Sequence, residues 1–141
     1  MTEDCIFCRI VDGEIPSRTV YEDDSALAFL DANPLTTGHT LVIPKDHHER
    51  LEDIPVEEAT DFYAALHAVV PAVEDAVDAP AATVAFNDGE AAGQEVPHVH
   101  AHVVPRSEND GAGPIHALFE SRPDPTDSEL DDVADAIADR L

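Results

Sequence analysis

An alternating run of histidines and small apolar residues between Pro97 and Pro105 constrains the fold more than any other feature of this chain. Successive side chains of a β-strand point to opposite faces, so a strand here places its histidines on one face and its apolar side chains on the other. The valines and the flanking prolines favour a strand over a helix, which would scatter the imidazoles around its circumference. The histidines of the row are His98, His100 and His102, and the opposite face carries Val99, Ala101 and Val103.

Such a row of histidines is compatible with three interpretations. The side chains can be exposed polar positions on a half-buried strand. They can be metal ligands, since neutral imidazole binds metals readily. One of them can also be a nucleophile whose neighbours position charge. Strand geometry does not separate the metal-binding and catalytic interpretations, so the rest of the chain has to be considered.

The charge of the chain narrows the range of partners. Its 141 residues include 31 acidic and 7 basic side chains, a formal net charge of −24. Like charges repel, so we expect neither nucleic acid nor an anionic membrane as a partner. The acidic residues are spread along the whole chain, which is typical of proteins adapted to concentrated salt, and we expect a halophilic protein. A signal peptide and a long apolar run are both missing from the sequence, which predicts a cytoplasmic location.

Two cysteines, Cys5 and Cys8, lie three residues apart near the start of the sequence. This spacing suits half of a zinc site, a redox pair or a disulfide. A structural disulfide is unusual in a cytoplasmic protein, and a thioredoxin-type motif would follow a strand of a βαβ unit, which the sequence does not predict here. Half of a zinc site needs further ligands, and the chain contains 8 histidines.

The first half of the chain predicts short elements. A helical turn is expected within residues 9–16. Residues 19–22 and 26–30 flank an Asp-Asp-Ser turn and predict a β-hairpin. Residues 39–44 then predict a further strand.

The second half predicts a long helix, two strands and a terminal helix. Residues 55–77 carry an apolar stripe with helical spacing, and Pro71 inside it is expected to kink or split the helix. Residues 83–87 predict a strand that precedes the histidine row. Thr126 and Glu129 form the sequence pattern of a capping box at the start of the last helix. Together these elements predict an α+β domain.

Several segments, in the same order along the chain, resemble the histidine-triad (HIT) superfamily. The run from His98 to Val104 is similar to the His-φ-His-φ-His-φ-φ signature, where φ is apolar. Other similar segments are Cys5-Ile-Phe-Cys8, Gly13-Glu-Ile-Pro16, Ala28-Phe-Leu-Asp31, Gly38-His-Thr-Leu-Val-Ile-Pro-Lys45 and Gly93-Gln94. The resemblance implies a HIT-like fold, with an antiparallel sheet of about five strands, a long helix and a C-terminal helix. It implies one HIT domain over residues 1–141, with a core at about 5–106 and a C-terminal loop and helix at 107–141.

The resemblance implies a nucleotide hydrolase or nucleotidyl transferase that acts at an α-phosphate. His100 would be the nucleophile and would form a nucleotidyl-histidine intermediate that water cleaves. His102 and His39 would hydrogen-bond the phosphate oxygens or the leaving group. The remaining implied contacts to the nucleotide are Asp31 at the ribose, Ile6, Phe7 and Leu30 as an apolar wall for the base, and Asn87 and Gln94 on the phosphate side.

The zinc-containing prokaryotic branch of the superfamily implies one structural Zn²⁺ per chain. Its ligands would be Cys5, Cys8, His47 and His98, a closed Cys₂His₂ set. The metal would tie the N-terminal segment to the segment that carries His100. Members of the superfamily usually form homodimers, and we expect one here.

Some residues depart from the branch that cleaves phosphoramidates, the Hint branch. Glu95 stands where that branch has a serine that contacts phosphate, and a carboxylate there repels substrate unless it turns outward. Pro105 and Arg106 look more like the dinucleoside-polyphosphate (Fhit) branch. Two alternatives to this enzyme class remain: a non-catalytic nucleotide-binding module, and a metal-dependent hydrolase that uses the histidine row as its metal site.

Overall fold

The computed structural model describes residues 4–141, which divide into two compact units. The first unit extends to Asp110 and the second begins at Gly111. The helices of residues 4–141 are all too short or too polar to cross a bilayer.

The first unit contains a five-stranded antiparallel sheet and two helices, which confirms the predicted α+β class. The strand order is β1-β2-β3-β5-β4, so β1 and β4 are the edge strands. The strands are β1 (Thr19–Glu22), β2 (Ala26–Leu30), β3 (Thr40–Pro44), β4 (Ala81–Ala85) and β5 (Ala101–Arg106). The helices are α1 (Ile6–Val11) and α2 (Val56–Ala76), and short 3-10 turns lie at Leu51–Asp53 and Glu90–Ala92.

Helix α2 covers one face of the sheet. Its buried side chains recur at intervals of three or four residues, which aligns them on one side of the helix. They are Phe62, Ala65, Val69 and Val73. The helix runs past the exposed Pro71 without a break, so it is not split there. The buried contacts of Val69 and Val73 on either side of Pro71 hold the helix against the sheet although proline cannot donate a backbone hydrogen bond.

The alternation of side chains in the central strands produces two apolar layers. Ala28 and Val42 point towards α2 and join its core. Their neighbours Phe29 and Leu41 point to the opposite face, where they pack with the N-terminal segment around Phe7. The sheet is therefore covered on both sides, and the second layer is the one that carries the candidate site.

The prediction that the whole histidine row is a strand is wrong for its first half. Strand β5 begins at Ala101, so only His102 belongs to it. The amide of Val99 donates to the carbonyl oxygen of His48 at 2.8 Å, and that of His98 donates to Val96 at 2.8 Å, so neither pairs with a neighbouring strand. The alternation itself persists because Val99, Ala101 and Val103 still reach the α2 core.

Two further boundaries differ from the prediction by a few residues. Helix α1 begins at Ile6 because the Cys5 thiol caps it, accepting from the amide of Cys8. Strand β4 lies at Ala81–Ala85 and not at 83–87, because it pairs over that range with β5, from Arg106 back to His102.

The second unit contains a 3-10 turn at Ile115–Leu118 and helix α3 (Asp127–Ala138). The predicted capping box is present. The Thr126 hydroxyl accepts from the amide of Glu129 at 3.1 Å, and the Glu129 carboxylate accepts from the amide of Thr126 at 3.0 Å.

Candidate active site and metal site

The candidate active site lies on the face of the sheet that the N-terminal segment covers. His102 is supplied by β5, and His98 and His100 by the residues just before that strand. His39 comes from the residue that precedes β3, the strand next to β5 in the sheet. The pairing of β3 with β5 therefore brings together histidines that are about sixty residues apart in sequence.

His100 is held in one orientation by a backbone hydrogen bond. Its Nδ1 lies 2.8 Å from the carbonyl oxygen of His98. A carbonyl can only accept, so Nδ1 carries a proton, and in the neutral ring the lone pair is on Nε2. The ring is buried and contacts Phe7 edge-on, with 5.1 Å between centroids. This arrangement presents an oriented imidazole nitrogen, which is what a histidine nucleophile requires.

His39 and His102 form a hydrogen-bonded pair whose direction can be deduced. The amide of Leu35 donates to His39 Nδ1 at 3.0 Å, so the proton of the neutral His39 ring is on Nε2. That nitrogen lies 3.0 Å from His102 Nδ1, which must accept. The proton of His102 is therefore on Nε2, where it can be donated to a ligand.

Burial favours these neutral forms. Desolvation lowers the pKa of His39 and of His102, because a charged ring loses its water. Asp31 partly opposes this effect, since its Oδ2 lies 3.6 Å from His39 Nε2. The other oxygen of Asp31 accepts from the amide of Asn33 at 2.8 Å. Asp31 is only half-buried and remains accessible to a ligand next to the histidines.

A second cluster beside His100 has the composition and spacing of a tetrahedral zinc site. The donor atoms of its four residues lie within 4.8 Å of one another, and the residues are Cys5, Cys8, His47 and His98. His98 Nδ1 lies 3.3 Å from Cys5 Sγ and 3.6 Å from Cys8 Sγ, and His47 Nδ1 lies 3.4 Å from Cys8 Sγ. A tetrahedron with Zn–N of about 2.0 Å and Zn–S of about 2.3 Å has edges of about 3.3–3.8 Å. The observed separations fit that geometry.

The surroundings of this cluster also fit a cation. His98 Nε2 donates to the carbonyl oxygen of Pro44 at 2.8 Å, which leaves Nδ1 free to bind metal. Burial lowers the pKa of His98 to about 4, so the ring is neutral at physiological pH. Burial raises the pKa of the Cys8 thiol to about 12, and a bound cation would reverse this effect by stabilising the thiolate. The donor set is the one expected of a structural zinc site.

The predicted apolar wall is only partly assembled. Phe7 is buried and packs against His98 and His100, while Ile6 beside it is exposed. Leu30 lies on the other face of the sheet, where it lines an apolar cavity of about 300 Å³ beneath α2. Phe29 is the β2 residue that meets Phe7, with 5.6 Å between ring centroids. Strand alternation predicts this arrangement, because Phe29 lies two residues before Asp31 and so points to the same face, whereas Leu30 points to the other.

The two predicted phosphate-side residues lie on the loop between β4 and β5. Asn87 is exposed just after β4. The Gln94 side chain accepts from the amide of Gly89 at 2.7 Å and donates to the carbonyl oxygens of Glu49 at 2.7 Å and Val96 at 3.0 Å. Gln94 thus shapes the backbone of this loop, and any contact with phosphate would compete with these bonds.

The sheet, the covering helix and the four oriented histidines together define a histidine-triad protein. Comparison with known sequences agrees, since residues 12–109 match the HIT domain family. This chain belongs to the HIT family.

Related proteins support that assignment over most of the chain. A HIT family protein from Bacillus subtilis superimposes with a TM-score of 0.89 at 40% identity, covering 98% of this chain and 97% of that one. A Zn-bound histidine triad family protein from Mycobacterium smegmatis has a TM-score of 0.73 at 36% identity, with 99% and 96% covered. The adenosine 5'-monophosphoramidase of Saccharomyces cerevisiae is 42% identical over 102 residues, which are 72% of this chain and 62% of the yeast protein.

Proposed function

We propose that this protein cleaves nucleotides at the α-phosphate and transfers the nucleotidyl group first to His100 and then to water. The observation that carries the proposal is the hydrogen bond from His100 Nδ1 to the carbonyl oxygen of His98. It supports an imidazole whose Nε2 lone pair is available and oriented. Such a nitrogen attacks phosphorus without an added base.

In the first step, Nε2 of His100 forms a bond to the α-phosphorus. The bond from phosphorus to the leaving group breaks, and its electron pair departs with that group, which takes a proton from water where it needs one. The ring of His100 becomes positively charged, because it has used its lone pair while keeping the proton on Nδ1. The carbonyl oxygen of His98 then accepts from a charged donor, which strengthens the bond in the intermediate.

His102 supplies a second stabilising contact. The direction of the hydrogen bonds from Leu35 through His39 leaves its Nε2 proton pointing away from the pair. We expect that proton to be donated to a non-bridging phosphate oxygen or to the leaving group, where negative charge increases during the reaction. His39 acts as a positioning residue, since it reaches the substrate only through His102.

In the second step, a water oxygen attacks phosphorus and the P–N bond breaks. The electron pair of that bond returns to Nε2 of His100, and a proton from the attacking water is released to solvent. A cationic ring is a good leaving group, and the hydrogen bond to His98 keeps it oriented while the P–N bond breaks.

The aromatic pair Phe7 and Phe29 and the carboxylate of Asp31 are the proposed nucleoside contacts. The two rings provide an apolar surface for a base. The Asp31 carboxylate can accept a further hydrogen bond, which suits a ribose hydroxyl. The yeast relative is named for a phosphoramidase, so a nucleoside phosphoramidate is the first substrate to test. Dinucleoside polyphosphates are the second, because Pro105 and Arg106 resemble the branch that cleaves them.

We also propose that Cys5, Cys8, His47 and His98 hold one Zn²⁺. When bound, the metal would serve as a structural cross-link between the N-terminal segment and the residue that orients His100. The Zn-bound relative from Mycobacterium smegmatis supports this choice of metal. The proposed chemistry at phosphorus uses only side chains and water.

Turnover in excess chelator, with the zinc content measured in parallel, separates this proposal from its alternatives. Adenosine 5'-phosphoramidate and diadenosine polyphosphates are the substrates. We expect turnover that does not depend on free metal. A metal-dependent hydrolase would stop in chelator, and a nucleotide-binding module would bind AMP without turnover.

The intermediate can be trapped directly. A turnover mixture quenched in alkali, where phosphoramidates are stable, should carry one nucleotidyl group on the peptide that contains His100. The matched control is His67, an exposed histidine on α2, because His67→Asn should leave the label while His100→Asn abolishes it. A label on another histidine would contradict the proposal.

A further inference from the structure

A third group of metal-binding side chains lies outside the nucleotide machinery. Asp46 and His48 come from the loop after β3, and Glu58 comes from the first turn of α2. Each contributes one donor atom, and the three atoms lie within 4.8 Å of one another. The group combines one imidazole with two carboxylates and therefore differs from a cluster of acidic residues alone.

The imidazole of His48 has a buried nitrogen that faces a carboxylate outside hydrogen-bond geometry. His48 Nε2 is shielded from solvent and lies 3.2 Å from Glu58 Oε2, but the two atoms are not aligned as donor and acceptor. A buried polar nitrogen whose neighbouring carboxylate is misaligned for a hydrogen bond needs an explanation. A cation between the imidazole and the carboxylate provides one, since the lone pair of a neutral ring would then be used.

The loop is held in place independently of these side chains. The carbonyl oxygen of His48 accepts from the amide of Val99 at 2.8 Å, and His47 turns the other way, with Nδ1 beside Cys8 Sγ. Neighbouring residues thus present their imidazoles to different clusters. Lys45, the cation next to Asp46 in sequence, is paired with Glu22 at 2.7 Å.

The two carboxylates of the group crowd each other. The nearby Asp46 carboxylate raises the pKa of Glu58, and the His48 ring partly offsets this effect. Carboxylate oxygens within 4.8 Å of each other repel, and a proton or a cation between them relieves that repulsion. A divalent cation carries two positive charges and a proton carries one. In a chain with a net charge of −24, the divalent cation therefore relieves more of the repulsion between carboxylates.

We propose that Asp46, His48 and Glu58 bind a divalent cation at a site separate from the zinc cluster. Mixed imidazole and carboxylate ligands suit first-row ions such as Mn²⁺, whereas the thiolates of the other cluster select Zn²⁺. Water would complete the coordination. The ion would cross-link the loop after β3 to α2 and so stabilise the segment that holds both His47 and the backbone of Val99.

The test uses the full-length protein with its zinc content measured, titrated with Mn²⁺ and followed by the electron paramagnetic resonance signal of the free ion. The titration is done in about 1 M KCl, where the Debye length is about 3 Å and diffuse counterion binding is suppressed. We expect one Mn²⁺ per chain in addition to zinc, and a rise in the thermal midpoint when it binds. His48→Ala and Glu58→Gln should each weaken Mn²⁺ binding at least about tenfold.

Three matched variants make the result specific. Glu57→Gln removes the same charge one residue away on the exposed side of the same turn, and His67→Ala removes an exposed imidazole from the same helix. Asp31→Asn tests the other mixed cluster, formed with His39 and His102. All three should leave Mn²⁺ binding unchanged. Equal losses in Glu57→Gln and Glu58→Gln, loss only in Asp31→Asn, or no Mn²⁺ bound by the unaltered chain would each overturn the proposal.

Discussion

His98 orients His100 through a single hydrogen bond, from the Nδ1 proton of His100 to the backbone carbonyl oxygen of His98 at 2.8 Å. The ring of His98 is itself held on two sides, by the carbonyl of Pro44 and by the thiols of Cys5 and Cys8. The proposed nucleophile and the proposed metal site therefore share one residue but use different parts of it. The backbone of His98 supports catalysis, and its side chain supports the metal.

Substitutions should separate these two roles. His100→Ala removes the nucleophile and leaves all four proposed zinc ligands, so we expect turnover to fall roughly 10⁴-fold or more while zinc content and folding are kept. His98→Ala keeps the carbonyl that orients His100 but removes a metal ligand, so zinc should be lost and stability should fall with some activity left. Zinc analysis, thermal unfolding and turnover measured on the same preparations check both outcomes.

Cys8→Ala is the control for the metal site, because it lies outside the histidine row and should behave like His98→Ala. Zinc loss in His100→Ala combined with full activity in His98→Ala would reverse the assigned roles.

Stability should fall as the pH drops from 6.5 towards 5. Burial lowers the pKa of His98, His39 and His102 below the usual 6.5, so these rings stay neutral in the folded protein while the unfolded chain takes up protons. The unfolded state then binds more protons, and each such histidine reduces the unfolding free energy by up to about 1.4 kcal/mol per pH unit. Denaturant titrations at fixed KCl measure this slope. His102→Gln should reduce it, and an unchanged slope would argue against a neutral buried ring.

High salt should stabilise the fold. Among the described residues, three of the basic side chains form ion pairs with carboxylates, Lys45, Arg50 and Arg106, whereas the sequence contains 31 acidic residues. Most of the negative charge is therefore balanced only by ions in solution. We expect the thermal midpoint to rise across a KCl series. A midpoint that stays flat or falls would refute the halophilic assignment.

Gly38 should tolerate substitution less well than Gly13. Both have positive φ, +91° and +80°, so alanine at either position costs about 1–2 kcal/mol in backbone strain. A Cβ on Gly38 would also come within 2.8 Å of Val77 Cγ1, whereas the space around Gly13 is open. We expect Gly38→Ala to cost a further 1–3 kcal/mol, roughly the usual penalty of overpacking. Equal losses of unfolding free energy in the two variants would show that Val77, at the C-terminal end of α2, moves aside without loss of stability.

The protein should form a symmetric homodimer. Strand β4 is an unpaired edge of the sheet within the described first unit, and Val84 on it and Tyr63 on α2 are more than 40% exposed. Apolar side chains of this size at an open strand edge suit contact with a second copy. Light scattering at high KCl should give twice the 15.1 kDa of one chain. A particle of 15.1 kDa would contradict this expectation.

Much of the fold could be read from local patterns. The hairpin of β1 and β2, the long helix and the capping box at Thr126 depend on turn residues, helical spacing and a side chain that bonds to its own backbone neighbours. These interactions act over a few residues, so the local sequence contains them. The same is true of the alternation that places Val99 and Val103 in the α2 core.

The start of strand β5 and the continuity of helix α2 depend on contacts between residues that are far apart in the sequence. The histidine row departs from strand geometry because the amide of Val99 bonds to His48, some fifty residues earlier. Helix α2 is not split at Pro71 because Val69 and Val73, on either side of it, are buried in the core against the sheet. The resemblance implied Leu30 as part of the apolar wall, but strand alternation turns Leu30 towards α2 and Phe29 towards the candidate site.

From the sequence alone, the types and spacing of the histidines, the cysteines and Asp31 restrict the ligands that these residues can bind. How His98, His100 and His102 differ depends on contacts that exist only in the folded protein. Their neighbours along the chain are alike, but one ring faces two thiols, one bonds to a backbone carbonyl and one accepts from His39. Those partners come from the N-terminal segment, the preceding backbone and the residue before β3, and folding is what brings them together.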